Sequence, residues 1–389
     1  MNAFFTGLQR EWQRVLTQPS YWATLFLLPL LSFILVSGVI ATHAVNDVTL
    51  DLVDQDQSQA SRDLRFRLDA SASVAVQKQL PSVHDALQRA KDKDSFGYLV
   101  IPEGYQRSLI AGQPVTVDVF VNQQNFMLGN TLTSHVLRQI IESSVRDSTA
   151  ALMAGGQMKE QALANIQPVQ GARSVLGNSR LNYRTFLLAT LLPHLWHVVV
   201  MVVTVMAIGT EFKDGTPKAW LAANNHSLAL ALTTKLLVPG LVMGLWLAGI
   251  TVFIFADNQA GGHASLFSLL IAGWLTQFCY QTAGLLTIAV LANYRRALSV
   301  AAFYTTPAFA FIGITFPTFN MNWISQTWLA LLPIGIFVQV QNRILHWQQG
   351  LVDVLPDLAV IAVFALCFGS AGMLRLRGHL LRPELWHQH

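Results

Sequence analysis

Two histidines, His194 and His197, stand three residues apart inside a long apolar run, so a helix there carries both imidazoles on one face. An ionisable side chain in such a segment points to a proton site, half of a metal shell, or a contact along a substrate path. The structural alternative is a neutral pair hydrogen-bonded to a neighbouring helix or to another subunit. It is preferred, because no carboxylate or third ligand lies within the apolar runs to complete a relay or a shell. Gln277 and Gln281, one turn apart in another apolar run, read first as hydrogen-bonding groups between helices and second as the lining of a polar path or an interface. Asp51, Asp54 and Asp56 cluster, but they lack the glycine and distal glutamate of a calcium loop. Cys279 and Cys367 sit in apolar stretches and offer neither a disulfide framework nor a thiolate metal site. No phosphate-binding loop of the form G-x-x-x-x-G-K-[ST] is present, and the nearest string, GTEFKDGT at 209–216, has no lysine after its second glycine. No catalytic residue, metal or bound cofactor is therefore assigned to this chain.

The elements that must position these groups are set by composition. Of 389 residues, 52% are hydrophobic and 12% charged, about half the charge of an ordinary soluble domain. That balance excludes a disordered tail or a nucleic-acid-binding arm and points to lipid as the main solvent. Charge-free windows long enough for a bilayer fall at about 22–42, 185–208, 236–256, 264–292, 297–318 and 358–374. A further apolar stretch, 321–342, is studded with Asn, Gln and Pro and suits a re-entrant segment better than a lipid-facing span.

Charge asymmetry supports six spans with both termini in the cytoplasm. Arg10, Arg14, Lys213, Lys218, Arg295, Arg296, Arg375, Arg377 and Arg382 then share the inner side, while Asp257, Asp353 and Asp357 lie outside with Arg343 as the one exception. A cleaved signal peptide is disfavoured by the long, Glu11-containing stretch before the first run. Residues 4–21 place Phe4, Phe5, Leu8, Trp12, Val15 and Leu16 near helical spacing, the pattern of a helix lying on the membrane surface.

Between the first two spans, residues 43–184 carry 14 acidic and 14 basic residues and are ordinary in charge, so the net +4 belongs to the membrane part. Strands are expected at 48–53, 74–76, 96–101 and 115–121, with helices through Leu64 and Leu68, at 83–90, from Pro102 toward Gly112, and at 126–154. The expectation is a small α/β domain followed by a looser linker around Pro168, Gly171 and Gly177.

Glu211, Lys213, Asp214, Gly215, Thr216, Pro217, Lys218 and Trp220 form a charged turn leading into a short amphipathic helix. Thr216 reads as its N-cap and Pro217 as its first position. Such a helix, with Lys218 on one side and Trp220, Leu221 and Ala222 available to pack, is a surface a soluble motor could grip; a helix that merely ties two spans together is the alternative.

Taken in order, the surface helix, the large insert, the E-x-x-x-G-T turn of Glu211, Gly215 and Thr216, and five grouped C-terminal spans resemble the permease subunit of an ABC type-2 exporter. Within the insert, Val53, Asp54, Asp56, Ser58, Ser61-Arg62 and the LVIPEGY stretch at 99–105 resemble the subgroup with a periplasmic α/β domain. Lys213, Pro217 and Lys218 depart from the family's usual turn. The resemblance implies an α-helical polytopic membrane protein of the bacterial inner membrane, with six spans, re-entrant outer helices at about 320–345 and an inserted extracytoplasmic domain. Implied segments are an elbow helix at 1–21, a first span at 22–42, the insert at 43–184, a bundle at 185–376 with a coupling helix at about 210–225, and a tail at 377–389. Also implied are a separate ABC ATPase that holds ATP and magnesium, a second permease chain, identical or related, and a periplasmic membrane-fusion adaptor. Tyr294, Arg295 and Arg296 would make a second contact with the ATPase. Two rivals are an ion-gradient-driven transporter, disfavoured because the apolar windows hold no formal charge, and a membrane-anchored receptor with an outer ligand-binding domain.

Overall fold

The computed structural model describes residues 2–39, 48–71, 74–92, 94–111, 113–121, 126–166, 183–258, 263–312 and 321–380. Outside them fall the expected end of the first span after residue 39, His43, the linker with Pro168, Gly171 and Gly177, residues 313–318 of the fifth expected span, Asn320, and the tail with Arg382. The chain forms two compact units, one of residues Met1–Ala41 with Gly177–His389 and the other of Thr42–Leu176.

The second unit alternates strand and helix: β1 (Val48–Asp54), α3 (Gln59–Asp69), β2 (Val74–Gln79), α4 (Val83–Lys91), β3 (Gly97–Ile101), α5 (Tyr105–Ile110), β4 (Asp118–Val121), α6 (Phe126–Ala154) and α7 (Lys159–Ile166). The sheet order is β2-β1-β3-β4, with β1 parallel to both neighbours and β3 antiparallel to β4. Alternation sends Leu50, Leu52, Leu99 and Ile101 to one face, where they meet Leu64, Leu68, Leu132 and Val136. The opposite face is thinner, with Val53, Tyr98 and Val100 over Ala86. The expected strand at 115–121 is shorter than its sequence suggests. Its register pairs Asp118 with Val100 and Val121 with Gly97, and β3 ends at Ile101 before Pro102, which has no N–H to continue the ladder.

The three aspartates of this unit diverge to separate partners. Asp51 is buried against Arg89 at 2.8 Å. Asp54 accepts the N–H groups of Asp56 and Gln57 and, at 2.7 Å, the Ser61 hydroxyl. Asp56 accepts the N–H of Gln106 at 3.0 Å. Asp54 and Asp56 act as turn and cap residues that pin the end of β1 to the starts of α3 and α5, while Asp51 ties β1 to α4.

In the first unit, α1 (Asn2–Thr17) precedes α2 (Pro19–Val39), which contains a π-helical turn at Ala23–Leu27. After the insert come α8 (Tyr183–Lys213), α9 (Pro217–Ala223), α10 (Leu228–Asn258), α11 (His263–Leu291), α12 (Tyr294–Thr305), α13 (Ala308–Phe311), α14 (Trp323–Ala330), α15 (Pro333–Trp347) and α16 (Leu351–Leu380). Among the described residues, four stretches are long and apolar enough to cross a membrane: Pro19–Val39, Leu187–Lys213, Leu228–Ala256 and Leu351–Leu380. The pair α14 and α15, bent by 83°, would add a fifth if it were one span. The fourth expected span is the 29-residue α11, and the fifth is interrupted between α12 and α13 at Thr306 and Pro307. Apolarity is distributed by position: 78% of the most apolar window of α8 is buried, against 11% for α2 and 22% for α16. Thus α8 is the central post, and α2 and α16 present apolar side chains outward, as lipid-facing helices do. Close crossings depend on small residues; at Gly372 of α16 a Cβ would stand 3.0 Å from the Leu286 backbone nitrogen of α11.

The pKa of Asp56 lies below its ordinary value: burial alone would raise it, but hydrogen bonds from Ser58 and from the N–H groups of Gln106, Gly104 and Tyr105 outweigh that effect. A carboxylate depressed in the folded state contributes stability above its unfolded pKa, about 4, and loses it as pH falls through the lower folded value. The protection of the β1–α3 turn in the full chain against hydrogen exchange, taken relative to the intrinsic exchange rate at each pH, should therefore fall below about pH 4, and Asp56→Asn should flatten that dependence.

Candidate functional site at the turn-bearing end of the bundle

The E-x-x-x-G-T turn is a helix stop with a defined hydrogen-bond pattern. At the end of α8 the Thr216 N–H reaches Glu211 O at 2.8 Å and the Gly215 N–H reaches Phe212 O at 3.2 Å, the two bonds of a Schellman motif. Gly215 holds φ +67°, the left-handed conformation that a Cβ disfavours. The expected N-cap role of Thr216 is corrected in its side chain. The residue does sit at the N-cap position of α9, with Pro217 following, but its hydroxyl makes no capping bond. Instead it donates back to Glu211 Oε2 and accepts from Arg14 at 2.9 Å.

Glu211 is completely buried and is the centre of a charge cluster. Arg10 grips it with two hydrogen bonds, Nη1 to Oε1 at 2.5 Å and Nη2 to Oε2 at 2.8 Å. Lys235 of α10 reaches the same carboxylate at 2.6 Å and, on its other side, Glu11 at 2.5 Å. Tyr21 donates to Glu11 at 2.8 Å, and Arg14 binds Thr210 at 3.1 Å and Asp214 at 3.4 Å. Four elements (α1, α8, the turn and α10) thus meet on one set of charges. The sequence reading placed no charge within the spans; this is corrected, since Glu211 and Lys235 both lie in helices apolar enough to span. The apolar windows were drawn to stop at the charge, whereas the helices continue through it because each ion finds a partner.

Trp220 is also corrected. It is 1% exposed, donates its indole N–H to Ala231 O at 3.2 Å, and lies 6.0 Å from Lys235 Nζ. It anchors α9 to α10 and is not available for docking. Lys218, Ala219 and Ala222 form the exposed side, and Lys213 and Asp214 flank it on the turn. Gly7 of α1 completes the seat: a Cβ there would fall 2.1 Å from Asn224 Oδ1, so α1 can rest on the end of α9 only without one.

The second cytoplasmic contact expected at Tyr294, Arg295 and Arg296 lies beside this turn. The Tyr294 ring covers Gly209, where a Cβ would meet it at 2.7 Å, and lies 5.5 Å below Lys213 Nζ. Asn293 caps α12 by accepting the Arg296 N–H, and Arg295 and Arg296 are exposed.

Gln277 and Gln281 of α11 donate their amides across to α10, to Gly240 O at 2.7 Å and Leu236 O at 3.1 Å, and also border a groove between α10, α11 and α16. His194 and His197 are buried apart from both the turn and that groove. Their ring centroids are 4.9 Å apart, with Phe309 beside His194 and Tyr280 beside His197 at 4.7 Å. Neither nitrogen of His197 has a hydrogen-bond partner among the described residues. Tyr280 accepts the Ile334 N–H, which ties this aromatic cluster to the start of α15.

Sequence reasoning missed Arg10, Glu11, Arg14, Tyr21 and Lys235 as a unit. Its only available trace was a pattern in α1, where Arg10 and Arg14 are one turn apart with Glu11 between them, in a helix read simply as amphipathic.

A bundle whose helices are long and apolar enough to cross a membrane, closed at one end by this turn with α1 seated on it, has the architecture of a membrane protein. A sequence profile of ABC-2 family transporter proteins matches residues 19–374, and the chain belongs to that family. It is 21% identical over 382 residues to the probable multidrug ABC transporter permease YbhR of Escherichia coli strain K12, covering 97% of this chain and 98% of the relative, and it matches the same protein of Escherichia coli O157:H7 equally. The chain is therefore the membrane subunit of a transporter, and membership implies partnership with an ATPase subunit.

Removing one member of a buried ion cluster typically costs about 3–5 kcal/mol, because its partners stay buried and unpaired. Lys235→Met, which leaves Glu11 and Glu211 without their shared cation, should lower stability by that amount in detergent unfolding, and an unchanged midpoint would show that the cluster is not structural. Gly7→Val should lift α1 from α9, seen as faster proteolysis between α1 and α2.

Proposed function

We propose that this chain is the permease of an ATP-driven exporter in the bacterial inner membrane, and that α9 is the coupling helix on which a separate ATPase docks. The supporting observation is the buried clasp of Glu211 by Arg10, Arg14 and Lys235. A force applied to the exposed side of α9 passes through a rigid helix stop into α8, α1 and α10 together, as coupling between a motor and its helices requires. Arg295 and Arg296 extend the docking surface. Two permease chains, identical or related, and two ATPases would form the working unit, with ATP and magnesium held only by the ATPases. Both termini would be cytoplasmic, residues 43–184 periplasmic and open to a membrane-fusion adaptor, and the bent α14–α15 pair a re-entrant cap. The substrate would be a drug, lipid or similar amphiphile, in keeping with the relative's designation. A carrier driven by ion gradients is disfavoured, because Glu211 and Lys235 neutralise each other at one end of the bundle and do not mark a path through it.

The exposed side of α9 gives a test that spares the buried cluster. Co-purified with its ATPase, the chain carrying Lys218→Asp or Ala222→Trp should lose ATPase association by tenfold or more while its unfolding midpoint is unchanged. Transport that persists without ATPase and collapses with an ionophore would overturn the proposal.

A further inference from the structure

The groove between α10, α11 and α16 has a volume of about 410 Å³, and its walls are almost wholly apolar. On α10 it runs from Ala229 to Leu241, roughly 18 Å of helix. One leaflet of hydrocarbon is about 15 Å deep, half of a 30 Å core. Of the four polar side chains that line it, Gln277 and Gln281 turn their amide N–H groups into α10 carbonyls and Thr233 and Thr282 donate to carbonyls of their own helices, and the rest of the lining is mainly that of Leu232, Leu236, Trp274, Phe278 and Met373.

Charge marks one end of the slot. Gly369 and Met373 line its α16 wall, and Arg377, at the next i+4 position, lies on the same helical face roughly 6 Å further on. Arg377 is exposed and makes no ion pair or hydrogen bond among the described residues. At the far end of α16, Asp357 pairs with Arg343 at 3.0 Å. The helix from Asp357 to Arg377 spans roughly 30 Å, the thickness of the hydrocarbon core, so Arg377 stands at headgroup level on the side of the Glu211 turn.

We propose that this groove holds one anionic phospholipid of the leaflet at the turn-bearing end, with an acyl chain along α10 and its phosphate at Arg377. The fit rests on three matched features: an apolar slot one leaflet long, an opening toward lipid along the sparsely buried α16, and the exposed Arg377, on the slot's own face of α16 and without an ion pair among the described residues, at its headgroup end. A second protein copy would need neither the chain-length slot nor the cation in register with it. A bound lipid would brace α10, the helix that carries Lys235, against α16.

Native mass spectrometry of the purified full chain, titrated with phosphatidylglycerol and with phosphatidylcholine of the same chains, tests this. Wild type should retain phosphatidylglycerol about fivefold more strongly, the gain expected of one arginine at a membrane surface. Arg377→Gln should abolish that preference with its unfolding midpoint unchanged. Thr233→Trp, which fills the slot from an exposed position, should lose both lipids, and excess glycerol phosphate should not displace the bound lipid. Equal retention of the two lipids by wild type, or a preference that survives Arg377→Gln, would overturn the proposal. So would a Thr233→Trp chain that keeps its lipid but falls from dimer to monomer, since the groove would then belong to a second copy.

Discussion

A carboxylate with no access to water cannot remain charged at the end of an apolar helix unless cations surround it, and Glu211 imposes that requirement on the first unit. Arg10 and Arg14 must come from α1, and Lys235 from the first turns of α10. Lys235 in turn needs Glu11, and Glu11 engages Tyr21 at the start of α2. One buried charge therefore fixes where four segments, distant in sequence, begin or end. Such clusters add little net stability over apolar packing, but they penalise every arrangement that leaves one ion alone. That makes this corner of the molecule specific in geometry, a property a transmission element needs more than it needs strength.

Away from the cluster, the bundle is held by close contact and by amides that satisfy backbone carbonyls across helices. Gly372 brings α16 against α11, Trp196 donates to Met243 O at 2.9 Å, and Gln341 of α15 donates to Ala189 O of α8. Trp196 and Ala189 both belong to α8, whose apolar side chains are buried while those of α2 and α16 face outward. Helices of equal hydropathy thus have different jobs, some as core and some as lipid contact. The second unit is built differently: a four-stranded sheet with one well-filled face, Asp54 and Asp56 spent on turns and caps, and Asp51 paired with Arg89.

Much of this was legible in the sequence. The α/β pattern of the insert, the helix α1 and Pro217 opening a short helix all follow from local propensity and periodicity, because each is decided by a few neighbouring residues. The E-x-x-x-G-T turn was recognisable only by resemblance, and the structure supplies its reason: Gly215 takes the left-handed position of a helix stop, and the Glu211 side chain is the anchor beneath it. What misled was the rule that spans avoid charge. It truncated α8 before Glu211 and α10 after Lys235, because a one-dimensional window counts a charge but not its partner.

The sequence by itself determined that this is a membrane chain with an insert of ordinary charge content, where its apolar helices run, and that the loop after Thr210 is a compact charged turn; these depend on composition and short-range order. Only the tertiary structure decided that Trp220 is an anchor inside the bundle, that Glu11 and Lys235 share a buried site with Glu211, and that Arg377 stands in register with an apolar slot. Those outcomes depend on which helix faces meet, and residues 201 positions apart, such as Arg10 and Glu211, become neighbours only when desolvation makes leaving either unpaired too costly.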